Sequence, residues 1–304
     1  YSRLFDTASP ILQPIGDNPE IDENSDAMIQ KLKETSKIVL KIDQHLWTIP
    51  VHMIDSEFCP LVDVPTTGDS LYESVDPDAN EIAEDIPIPE DAWQDPKDDS
   101  HMCLIDQKLR KVYDFSFVEK LGNNQWQASI VDVWDLDSMG YREPFTGNHW
   151  WRAGAMGGGL PLITSIVRVE EIEAGEIKHA LMFAGPSNRR SIVDDGSYEL
   201  CAPASRTNGP NFGVEYIPEG ARLQLDPNLD LDTLDLTPES KIVARALQQY
   251  GMFSGENSVD FKLFFQNLGP NKGLWNHYSF NLYNIPVKYF RVLKTNIIRR
   301  ELDI

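Results

Sequence analysis

The stretch "DDSHMCLIDQKLRKVYDFSFVEKLGNNQWQASIVDVWDL", residues 98–136, decides the fold class. It holds three apolar runs, "HMCLID", "KVYDFSFVEKL" and "WQASIVDVWDL", divided by short polar turns that include Gly122-Asn123-Asn124. β-Branched and aromatic residues fit a pleated, half-buried surface, and short turns between such runs favour antiparallel neighbours. In the third run Trp126, Ala128, Ile130, Asp132 and Trp134 share a face at period two.

Further strands are expected on both sides. Upstream lie "IVLKID" (38–43) and "LWTIPVHMID" (46–55); downstream lie "IKHALMFAG" (177–185), "ARLQLD" (221–226) and "YFRVLK" (289–294). "LPLITSIVRVEEI" (160–172) reads equally as strand or short helix. Many strands and few helices predict a mainly β fold, an antiparallel β-sandwich or jelly roll with a few peripheral helices. Antiparallel pairing is expected among 101–106, 111–119, 126–135 and 177–183.

Two helices are signalled. Ser25 can cap one over "DAMIQKLKETSK". The second, 238–250, has Thr237 as cap, Pro238 in its first turn, Ile242, Val243, Ala246, Leu247 and Tyr250 as an apolar face, and Gly251 as its stop. Residues 1–24 read as an extended N-terminal arm and 25–304 as one β-rich domain. The Asp-, Glu- and Pro-rich stretch 63–99 reads as a long acidic surface excursion.

The 304 residues carry a formal net charge of −21. Such a surface repels phosphate backbones, so no nucleic acid is expected as a partner. No apolar run approaches the ~20 residues of a membrane helix, so no membrane insertion is expected. The acidity suits a saline or extracellular setting. The chain opens on Tyr1 rather than Met, as a processed chain does. Cys59, Cys103 and Cys201 match no zinc spacing. Cys103 reads as core, while Cys59 and Cys201 lie beside prolines, where a disulfide is open to them.

Several segments resemble a widespread group of bacterial proteins, many of them secreted. The hallmark is "GARLQLDPNLDLDTLDLTPESKIVARALQQYGM" (220–252). With it come the "SP…PI" arm at Ser9–Ile15, the "DDSHM…ID…YDF" segment and the "G-x-I-x-HAL" segment at Gly175–Leu181. The likeness spans about residue 9 to residue 252. It implies a β-sandwich-like fold, secretion and a polysaccharide-rich setting.

The chemistry-bearing residues follow from these segments. His101 shares a strand face with Cys103 and Ile105, and His179 shares one with Ile177, Leu181 and Phe183. Either both are core histidines, or both open onto one pocket from neighbouring strands, where a neutral imidazole exchanges protons near neutrality. On the second reading His101, His179 and Arg206 are the catalytic candidates. Trp150, Trp151, Arg152, Arg189 and Asp99 would then bind substrate. A histidine base and an arginine suit β-elimination on a uronic-acid polymer; a carboxylate pair suits glycoside hydrolysis. The expected function is a secreted, polysaccharide-cleaving lyase or hydrolase. The alternative is an extracellular structural, adhesive or filament-forming protein, whose arm would lie off its own domain and support self-association. No metal site or cofactor is expected. Calcium at the alternating acids Asp226, Asn228, Asp230 and Asp232 is the weak exception, since the Gly and Glu of an EF-hand loop are missing.

Overall fold

The computed structural model describes residues 4–35, 39–66, 82–143, 154–164 and 166–301. Among these, an eleven-stranded sheet dominates. Its main path runs Phe290–Val292, Arg222–Leu225, Met252–Asn257, Leu181–Gly185, Lys262–Asn267, Ile49–Ile54, Met102–Asp106, Lys111–Ser116 and Ile130–Asp135. Lys41–Asp43 and Ile166–Val167 also pair with Lys262–Asn267.

The mainly β expectation holds, but the sheet is mixed rather than antiparallel. Met102–Asp106, Lys111–Ser116 and Ile130–Asp135 pair antiparallel; a short turn joins the first two, and the hairpin of Glu119–Gly122 and Gln125–Gln127 lies between the last two. Ile49–Ile54 instead runs parallel to Met102–Asp106, with Val51 opposite Cys103, and parallel to Lys262–Asn267. Leu181–Gly185 runs parallel to Met252–Asn257. Parallel neighbours need a crossover connection. The segment joining Ile54 to Met102 is such a crossover, and part of it is structural. Its hairpin of Leu61–Pro65 and Ile82–Pro87 buries Val62, Val64, Ala83 and Ile86 against the sheet. The described parts of the stretch 63–99 thus include a cover on the sheet.

Both faces of Met102–Asp106 are covered, which explains its unbroken apolar run. Cys103 and Ile105 pack with Val112, Trp134, Met156, Leu160 and Leu162 on one side. Met102 and Leu104 pack with Tyr113, Phe115, Val131 and the hairpin on the other. The single face expected for residues 126–134 breaks at Ser129, whose amide bonds to Ser116. Trp126 and Ala128 lie with the hairpin core, and Trp134 on the opposite side.

The second helix is Pro238–Gln249, with the Thr237 hydroxyl accepting from the Ser240 amide. Val243, Ala244, Ala246 and Leu247 are buried, whereas Ile242 is half-buried. The described part of the arm lies on its own domain. Ala180 N donates to Ile11 O, Ile15 N donates to Gln249 O, and buried Phe5 packs against Gly140. Among the described residues no helix is long and apolar enough to cross a membrane.

Candidate functional site

Strand Met252–Asn257 ends beside Leu181–Gly185, and there the chain gathers polar side chains. The Glu256 carboxylate accepts from Gly157 N at 2.6 Å, Asn257 N at 2.8 Å and Asn208 Nδ2 at 2.9 Å. The buried Glu219 carboxylate accepts from Asn208 N at 2.9 Å and Asn188 Nδ2 at 3.1 Å. Asn208 therefore holds both acids, one through its backbone and one through its side chain. Asn188 supports the pair, since its Nδ2 also donates to Glu256 O at 2.9 Å.

The segment 154–159 closes this cluster. Gly158 N donates to Gly255 O at 2.7 Å. At Gly157 a Cβ would lie 2.5 Å from Glu256 Oε1 and 2.6 Å from Asn208 Nδ2, so the absence of a side chain there makes the Gly157 N contact reachable. Half-buried Arg206 donates through Nε to Gly157 O at 2.9 Å and through Nη1 to Gly154 O at 3.3 Å. Its charge acts on Glu219 and also on Asp132 of the main sheet. His101 is buried, with Nε2 3.2 Å from Ala155 O. Half-buried Asp99 stands within electrostatic reach of both His101 and Glu256.

Burial, with the charge of Glu256 added, pushes the Glu219 carboxyl up to about 7. Burial raises Asp99 as well; His101 opposes that shift and Glu256 adds to it. A carboxyl pushed up to about 7 beside further carboxylates is the arrangement from which acid–base assignments emerge.

Of the residues expected in a site, Asp99, His101 and Arg206 come together here. His179 does not. His101 and His179 precede strands Met102–Asp106 and Leu181–Gly185 rather than lying inside them. Two strands separate these in the sheet, about 14 Å at the usual strand spacing. The shared pocket on neighbouring strands is therefore not formed. His179 Nδ1 lies 2.8 Å from Ala180 O and Nε2 lies 2.9 Å from Glu171 Oε1, so both ring nitrogens face acceptors. Burial alone would raise the Glu171 carboxyl, but His179 and Arg168 outweigh it and hold it below its ordinary value. A cavity of about 160 Å³ borders this group, roofed by Leu4, Phe5, Ile11 and Leu12 of the arm.

Arg189 is no rim residue either. It is buried, with Nη1 3.5 Å from Glu199 Oε2. Trp150, Trp151 and Arg152 lie outside the described residues. The three cysteines are free thiols, so the Cys59–Cys201 disulfide is not formed. Asp226 and Asp230 turn their carboxylates onto the amides of Asn228 and Asp232, forming turns rather than an alternating strand face. Among the described residues, no group of three or more His, Cys, Asp or Glu side chains is arranged to hold a metal.

Glu219, Glu256, Asn188 and Asn208 escape sequence reasoning. Each glutamate is one of 48 acids, and "IPEG" and "SGEN" carry no spacing signal. No family model, curated protein or solved structure matches the chain.

Proposed function

We propose that the protein is a secreted glycoside hydrolase acting on an extracellular polysaccharide. Glu256 serves as base or nucleophile and Asp99 as proton donor. The observation that carries this reading is the pair of Glu219 and Glu256 held by Asn208, with Asp99 within electrostatic reach of Glu256. Hydrolysis needs two accessible carboxyl groups in different protonation states. Asp99 and Glu256 are the half-buried members, while the charge of Glu256 helps raise buried Glu219. Hydrolysis is favoured over β-elimination because carboxyls gather at the site, while His101 beside them is buried with its Nε2 on Ala155 O. The described part of the arm that a filament-forming protein would extend lies on its own domain. The polysaccharide class and the extracellular setting rest on the resemblance of the 220–252 segment and its companions.

The test is incubation with a panel of acidic and neutral polysaccharides. New reducing ends should form without absorbance from unsaturated uronates, and Glu256→Gln should lower the rate by about 10²-fold or more. Unsaturated products would assign a lyase. No product from any polymer would overturn the enzymatic reading.

A further inference from the structure

Arg222 opens strand Arg222–Leu225 and faces Phe253 across the antiparallel pairing with Met252–Asn257. Its guanidinium carbon lies 5.1 Å from the Phe253 ring centroid. Nε donates to Tyr250 O at 2.7 Å, and Nη2 donates to Gln13 O of the arm at 2.6 Å. A guanidinium carries further N–H donors on Nη1 and on the outer side of Nη2. These have no partner among the described residues. Two carbonyls thus fix one edge of the group and an aromatic ring lies against it, while its end is left open.

The charge of Arg222 is uncompensated as well. Arg142, Arg168 and Arg189 are each paired with a carboxylate, on Asp132, Glu171 and Glu199. Among the described residues no acid acts on Arg222; burial alone does, and it pushes the guanidinium down to about 10. The group therefore stays charged at neutral pH. It borders a cavity of about 470 Å³ whose walls include Pro10, Pro203, Phe253 and Leu293, a size within the range of small-molecule sites. The chain holds 48 acidic residues against 27 basic ones, yet among the described residues that line this cavity there is no Asp or Glu. Lys294, the other cation of the lining, is paired with Glu20. Asp22, which adjoins the lining residue Thr295, is taken up by the Thr295 amide and hydroxyl.

We propose that this cavity is a carboxylate-binding site, in which the open end of Arg222 grips the anion through paired N–H donors and the apolar walls hold the body that carries it. Two N–H groups on one guanidinium edge match the two oxygens of a carboxylate. One uncompensated positive charge matches a monoanion, whereas a phosphate dianion calls for a second cation. A half-buried charge without a counter-ion is unfavourable, and a bound carboxylate offsets that cost. The net charge of −21 repels anions at long range, but that field is screened over about 8 Å at physiological salt, so the positive balance at the cavity wall governs the bound anion. The carboxylate belongs either to a free organic acid or to a uronate residue of a glycan. Its binding does not depend on hydrolysis at the Glu256 cluster.

The test uses the intact chain labelled with ¹⁵N-arginine, in which the Nε–H resonance of Arg222 reports on the site. Galacturonate, trigalacturonate, benzoate and inorganic phosphate are titrated against sodium chloride at matched ionic strength, and calorimetry gives the affinities. A carboxylate should shift that resonance saturably, and chloride should not. Arg222→Lys keeps the charge but loses the paired donors, and should weaken binding about tenfold or more. Ala8→Glu is the second variant, because this exposed wall residue touches neither carbonyl that holds Arg222. Its added carboxylate should also weaken binding about tenfold. Tightest binding of trigalacturonate supports the site with a glycan uronate as its ligand, and tightest binding of benzoate supports it with a free organic acid. The proposal is overturned if no carboxylate exceeds the chloride control, if phosphate binds more tightly than every carboxylate, or if neither variant weakens the binding.

Discussion

His179 Nε2 lies 2.9 Å from Glu171 Oε1. The contact joins the segment before strand Leu181–Gly185 to helix Val169–Ala174, and Arg168 braces it from the helix start. Without the ring, buried Glu171 keeps Arg168 but loses a hydrogen-bond partner. His179→Ala should therefore destabilise the fold by roughly 1–3 kcal/mol. Thermal or denaturant unfolding checks this. A variant of wild-type stability that has lost only turnover would instead return His179 to catalysis.

Glu219 predicts a pH dependence of stability. Its carboxyl is raised to about 7 in the folded chain by burial and then by Glu256. The folded state therefore binds more protons than the unfolded state between the ordinary glutamate value and about 7. The contribution of Glu219 to stability is full below that ordinary value and is lost as pH rises through about 7, with a size on the order of 3 kcal/mol. Glu219→Gln should start less stable by about 1–2 kcal/mol, because one acceptor is lost, but should show a flatter slope. Denaturation midpoints at about pH 5 and about pH 8 compare the two.

Gly220 tests the backbone beneath Glu219. Its φ is +86°, and a Cβ there would lie 1.6 Å from Cys201 O. Neither strain can be relieved by a flexible side chain. Gly220→Ala should cost several kcal/mol, at or above ~4, read as lost expression or a large fall in Tm.

Gly157→Ala separates site geometry from stability. The new methyl would meet the movable ends of Glu256 and Asn208 at 2.5 and 2.6 Å. They can swing aside, so stability should fall by about 1–3 kcal/mol. The Glu256 carboxylate would lose its place, and turnover on any responsive polysaccharide should fall about as far as in Glu256→Gln.

Leu247→Ala probes the packing of the long helix. Leu247 is fully buried in the largest core, and its truncation should cost roughly 2–5 kcal/mol. Ile242→Ala should cost less, since that side chain is only half-buried.

Local patterns alone determined part of this protein. Thr237, Pro238 and the apolar stripe specify the helix because capping and periodicity act within one turn. The runs around residues 102–135 specify their antiparallel pairing because short turns leave few alternatives. Tertiary structure decided the rest. Ile49–Ile54 pairs parallel with strands 102–106 and 262–267 because burial of both sheet faces, settled by distant chain, outweighs local turn signals. Two histidines with the same apolar surroundings in sequence part company because strand order is a non-local property. Glu219 and Glu256 become a pair only where Asn208 reaches both. Asp114 and Asp132 come to face each other only through cross-strand register. Burial and charge proximity, which move carboxyl protons toward neutrality, arise between residues far apart in the chain.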